Sequence, residues 1–226
     1  MQNVSTIASA VFIAIALLTL FQLYNASDRS KMVLIIIATW MLIQLILGST
    51  GFYSNEFTLP PRFMLMPLPP LIGMIYLFCS IKGRSFIDKL NLKKLTLLHT
   101  IRIAVEAVLY YLFTAKAIPE IMTFAGRNFD IIAGITAPVI FYTAFYKTRP
   151  ARKLLLIWNI ISLGLLFNIV IIAMLSVHTP FQQFGFSQPN IAILHFPFNW
   201  LPAVVVPIVL FSHLAAIRQL TNTARA

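Results

Sequence analysis

Three residues in one apolar stretch have the types and the spacing to do chemistry. His99, Arg102 and Glu106 stand at i, i+3 and i+7 in LHTIRIAVEAVLYYLFT, a spacing that sets all three on one face of a helix. A carboxylate held in hydrocarbon can carry a proton or a cation, or anchor a polar group of a ligand, with the arginine as its partner or as an anion clamp. The competing reading is structural: an Arg102–Glu106 pair one turn apart that fixes helix packing, with His99 near the membrane surface. Counted from Leu95, the helical rise puts Arg102 about 10 Å and Glu106 about 16 Å into the bilayer. Facing lipid, each charge would cost at least about 2.5 kcal/mol, so the stripe is expected to face the protein interior.

Two further groups could meet it. GRNFD, Gly126 to Asp130, offers Arg127 and Asp130 at pairing distance along a helix, and Asn128 or Asp130 as a cap for the helix that follows. It is expected at the outer surface. HFPFNWLP brings His195, Asn199 and Trp200 together between Pro197 and Pro202, whose missing N–H groups free carbonyls for a vestibule site; an aromatic belt is the bland alternative. Asn168 and Asn159 could join by hydrogen bonds between helices. The candidate ion or ligand set is therefore Glu106, Arg102, His99, Arg127, Asn128, Asp130, His195, Asn199 and Asn168.

The elements that must position these residues are transmembrane helices. Of 226 residues 59% are hydrophobic and 10% charged, against roughly 25% charged in a soluble domain. Apolar runs near 20 residues recur along the chain, leaving no room for a separate soluble domain. The expectation is one all-α, polytopic domain over 1–226 with seven spans, at about 4–24, 32–52, 63–81, 95–115, 129–146, 154–176 and 191–217. The first run lacks a basic leader and is read as a retained helix rather than a signal peptide.

Charge placement gives the orientation. The connections after spans 1, 3 and 5 and the tail hold Arg29, Lys31, Lys82, Arg84, Lys89, Lys93, Lys94, Lys147, Arg149, Arg152, Lys153, Arg218 and Arg225. The other side holds Arg62, Lys116 and Arg127. Basic residues concentrate in cytoplasmic connections, so the N-terminus is expected outside and the C-terminus in the cytoplasm. The net charge of +11 is thus spent on orientation, and no nucleic acid partner is expected.

Several chemistries are disfavoured. Cys79 is the single cysteine, which rules out an intramolecular disulfide and a cysteine metal centre. The histidines show no close metal spacing, and neither a G-x-S-x-G nor a Walker loop occurs. No lysine lies inside a span to form a retinal Schiff base, and no motif names a cofactor. The leading expectation is a multi-pass cell-membrane protein, bacterial cytoplasmic by its short connections. It would bind or transport a small molecule or ion in a polar cavity between spans 4, 5, 6 and 7. A membrane enzyme acting on a lipid or isoprenoid, and an accessory or sensor subunit with a protein partner or a second copy of itself, are the alternatives.

Overall fold

The computed structural model describes residues 4–54, 60–146 and 152–222. Lys147, Arg149 and Arg225 of the charge count lie outside them. Among the described residues the fold is all-helical: α1 Thr6–Ala26, α2 Lys31–Ser49, α3 Leu68–Cys79, α4 Ile81–Lys89, α5 Leu92–Leu98, α6 Ile101–Thr114, α7 Asp130–Phe145, α8 Arg152–Leu175 and α9 Val206–Thr221. Six helical stretches among the described residues are long and apolar enough to cross a membrane: Thr6–Ala26, Lys31–Ser49, Arg62–Cys79, Leu92–Thr114, Arg152–Leu175 and Leu201–Thr221.

Helix starts and stops follow local chemistry. The Ser5 hydroxyl accepts from Ala8 N at 3.1 Å and caps α1. Asn91 caps α5 in the same way through Lys94 N. The turn from α1 to α2 places Asp28 and Arg29 at positive φ, a conformation Asp tolerates better than most residues.

The stretch expected as span 4 is broken. α5 ends and α6 begins at His99–Thr100, where backbone bonds shorten to Thr100 N to Leu97 O and Ile103 N to Thr100 O. The Thr100 hydroxyl also donates to Leu97 O at 2.8 Å, the side-chain competition for a carbonyl that bends helices. The broken pair lies at the centre: α5 packs on α1, α7 and α9, and α6 packs on α1 and α7. α8 covers α7 and α9. α2 is peripheral, burying only Met41, Gln44 and Gly48.

Two departures from the expected spans have physical causes. The fifth expected span is a helix of 16 residues, about 24 Å long against a hydrocarbon core of about 30 Å. Its first residue, Asp130, is buried and bonds to Arg102, as described below. The seventh becomes regular α-helix only at Val206, after a π-helical turn over Leu201–Val205. Pro207 cannot donate to Ala203 O four residues back. Trp40 Nε1 of α2 takes that place, donating to Ala203 O at 3.0 Å.

The connections sort into two ends. At one, Asn91 N donates to Ala26 O and Lys94 Nζ to Asn25 O. There Lys93 sits over the Phe145 and Tyr146 rings, and Arg218 makes two bonds to Asp88. At the other, Ile191 N donates to Ala117 O, Gln188 Nε2 to Phe113 O, and Phe196 N to Gly48 O.

Candidate functional site

Arg102 organises the charged cluster. It is 2% exposed and ten residues into the stretch Leu92–Thr114, about 15 Å along the axis. Its Nε donates to Asp130 Oδ2 at 2.6 Å, and its Nη2 donates to Asp130 Oδ1 and, at 3.3 Å, to Ser162 O of α8. Its Nη1 lies 3.0 Å from His213 Nε2 of α9. The forked guanidinium thus ties α6 to α7, α8 and α9.

Glycine permits this approach. A Cβ at Gly134, one turn after Asp130, would stand 2.9 Å from Ile103 Cγ1 and 3.0 Å from Ile103 N. Only without it can α7 lie close enough to α6 for Asp130 to reach Arg102. Asp130 is therefore buried, at 6% exposure, and neither it nor Asn128 stands at the outer surface as the sequence had suggested. Nor does Asp130 pair with Arg127, which is exposed. The expected Arg102–Glu106 pair gives way to Arg102–Asp130.

Glu106 lies one turn further along, 1% exposed. Its Oε1 accepts from Asn128 Nδ2 at 2.5 Å, and its Oε2 has no hydrogen-bond partner. Asn128 is itself fixed: its Nδ2 also donates to Met122 O, and its Oδ1 accepts from Asp130 N. One asparagine therefore joins the two acids, capping the first turn of α7 while holding Glu106. The loop before it closes tightly, since a Cβ at Gly126 would stand 2.4 Å from Glu120 O.

The histidines complete the cluster from the other side. An arginine nitrogen can only donate, so His213 Nε2 must accept from it. Its Nδ1 then carries the proton and donates to Asn159 Oδ1 at 2.8 Å. Asn159 Nδ2 donates to Leu155 O, which fixes the orientation of that amide. His99 stacks on His213 with ring centroids 3.8 Å apart and planes 15° apart. Trp158 packs edge-on to His99 at 5.4 Å. His99 is fully buried, and neither of its nitrogens has a hydrogen-bond partner.

His213 is absent from the nine residues singled out above, whereas Asn159, named there only as a residue that could join by hydrogen bonds between helices, does so. His213 and Ser162 occupy apolar helices whose facing side cannot be read without the packing, so no spacing signal marks them. Asn168, which was singled out, donates instead to Arg127 O at 2.9 Å and secures the loop. His195 lies outside the spanning stretch, half-buried, and burial pushes its imidazole below the usual histidine range.

Asn199 takes its partners elsewhere, from α2. Its Nδ2 donates to Gln44 O at 2.6 Å, Gln44 Oε1 accepts from the Tyr53 hydroxyl at 2.9 Å, and Trp200 Nε1 donates to Met41 O. A Cβ at Gly48 would stand 2.6 Å from Asn199 Nδ2, so glycine makes room for this amide. This second network is neutral. No group of three or more His, Cys, Asp or Glu side chains suited to a metal occurs among the described residues.

Neither a curated protein nor a solved structure matches the chain. Residues 60–221, a stretch that contains the whole charged cluster, match the family described as a domain of unknown function, DUF8737, and the chain belongs to that family.

Proposed function

We propose that this is a seven-span protein of the cell membrane, N-terminus outside, that binds and carries a proton or a small cation at Glu106. Seven crossings require α7 to cross as well as the six longer helices. Its last residues reach the basic end, and its first begin at the depth of Arg102, where the loop 115–129 completes the passage. The gathering of Lys93, Lys94 and Arg218 at one end supports a cytoplasmic C-terminus. Short connections fit a bacterial cytoplasmic membrane and a single domain over 1–226.

The observation that carries the reading is the partnering of the two acids. Asp130 is neutralised by Arg102, whereas Glu106 has one oxygen on Asn128 and the other on nothing. A carboxylate in that position has only the Asn128 amide and the more distant Arg102 charge to offset its burial, so a proton or a cation on it is favoured. Asn128 is a donor toward either state, so it holds the side chain while the load changes. Arg127, His195 and Asn199 lie toward the outer side and take no part in the exchange itself.

Proteoliposomes with an imposed proton or sodium gradient provide the test. Glu106→Gln keeps the Asn128 contact and removes the exchangeable charge, so flux is lost while folding is retained. Unchanged flux in that variant would overturn the assignment. A second reading, an accessory subunit in which the cluster only fixes packing, draws on the complete pairing of Arg102 and Asp130; it expects no flux from the wild-type chain and copurification with a partner.

A further inference from the structure

On the side away from the charged cluster, α2, α3 and α9 enclose an apolar cleft of about 680 Å³. That volume falls within the roughly 300–1,000 Å³ of small-molecule sites. Trp40 and Ile36 of α2, Leu77 and Gly73 of α3 and Phe211 of α9 line it. The cleft stays open at Gly73, where an added Cβ would meet nothing within 4 Å.

One end of the cleft is different. There the lining includes Ser30, at the start of α2, and Lys82, which is exposed and is the one charged residue among the described lining. Lys82 owes its place to a sharp bend: Ser80 ends α3 and caps α4 through Gly83 N at 3.0 Å. A Cβ on Gly83 would stand 2.3 Å from Leu77 O, so α4 folds close under α3 and carries Lys82 to the mouth. Lys31 and Arg84 flank this end in sequence. It is the end where Asn25 and Lys94 meet, which the orientation proposed above, on which this inference rests, makes the cytoplasmic membrane surface.

We propose that the cleft is a binding site for an anionic phospholipid, one acyl chain lying between α2 and α3 and the headgroup phosphate on the Lys82 ammonium. The pairing is one of chemistry. An apolar slot that runs to a single cation at the membrane surface complements a chain that ends in a phosphate, and basic pockets between spans on the cytoplasmic side recognise such headgroups. A zwitterionic lipid offers the same chain and phosphate, but its choline cation offsets the phosphate charge and weakens the attraction to Lys82.

The full chain in phosphatidylcholine nanodiscs holding a minor fraction of spin-labelled phosphatidylglycerol tests this. The expected spectrum contains a motionally restricted component that labelled phosphatidylcholine lacks. Lys82→Glu should weaken it about five-fold or more, the effect of one basic residue on an anionic lipid. Gly73→Phe, which grows into open space, should remove it, and the thermal unfolding midpoint checks that each variant is folded. Equal restriction of both labelled lipids, or a component indifferent to Lys82→Glu, would reduce the cleft to ordinary boundary lipid and overturn the proposal. Should Gly73→Phe fail to fold, Lys82→Glu and the comparison of the two lipids still decide.

Discussion

Two buried polar networks among the described residues handle the membrane interior in opposite ways. At the junction of α2 with the π-helical turn, Trp40, Asn199 and Trp200 donate to main-chain carbonyls of Ala203, Gln44 and Met41. Around Arg102, charged side chains from α6 and α7 meet each other and the α9 imidazole. Both leave atoms over. At the first these are neutral amide atoms, Gln44 Nε2 and Asn199 Oδ1; at the second they are a carboxylate oxygen of Glu106 and the two ring nitrogens of His99. A spare amide atom costs a few kcal/mol at most, whereas a spare charge in hydrocarbon costs far more unless something binds it. In the first network the Trp40 bond makes good the donor that Pro207 lacks, and the second holds the acid on which the proposed function rests.

Substitutions separate the two. The largest effect on stability is expected from Asp130→Ala, which strands the Arg102 charge: a loss of about 3–5 kcal/mol, read as a fall in the unfolding midpoint in detergent. Replacing both partners by apolar residues, Arg102→Met with Asp130→Leu, should recover most of that loss, because the cost lies in the unpaired charge and not in the missing pair. Gly48→Ala comes next. It drives the Asn199 amide off Gln44 O and is expected to cost about 1–3 kcal/mol, with no effect on ion flux. Trp40→Phe leaves Ala203 O without its substitute donor and should cost about 1 kcal/mol, again measured by unfolding. Glu106→Gln should change stability least, by less than any of these, and change flux most. If Glu106→Gln proves as destabilising as Asp130→Ala, the two acids play the same structural part and the contrast fails.

Much of the architecture could be read from the residues, because hydropathy, proline placement and basic connections act locally or at the membrane surface. The burial of His99, Arg102 and Glu106 followed from the cost of facing lipid, and all three are buried. Which acid would partner Arg102 was not legible. Spacing favoured Glu106 at i+4, but the Gly134 contact with Ile103 brings Asp130 closer, and only the packed backbones reveal that distance. The extent of α7 was legible, since the expected bounds 129–146 differ from Asp130–Phe145 by one residue at each end; what was hidden is that its first residue is buried against Arg102 of another helix. His213 gave no signal at all, since one histidine in an apolar helix is silent until its neighbours are known.

The most direct measurement is carboxyl labelling by a hydrophobic carbodiimide, which attacks a protonated acid within the membrane, with the modified residue identified by mass spectrometry. Labelling should fall on Glu106, quicken as the pH is lowered, slow in the presence of a transported cation and abolish flux in proportion, while Asp130, held by Arg102, stays unmodified. Labelling of Asp130 ahead of Glu106, or a Glu106 inert at every pH at which the protein stays folded, would contradict the account.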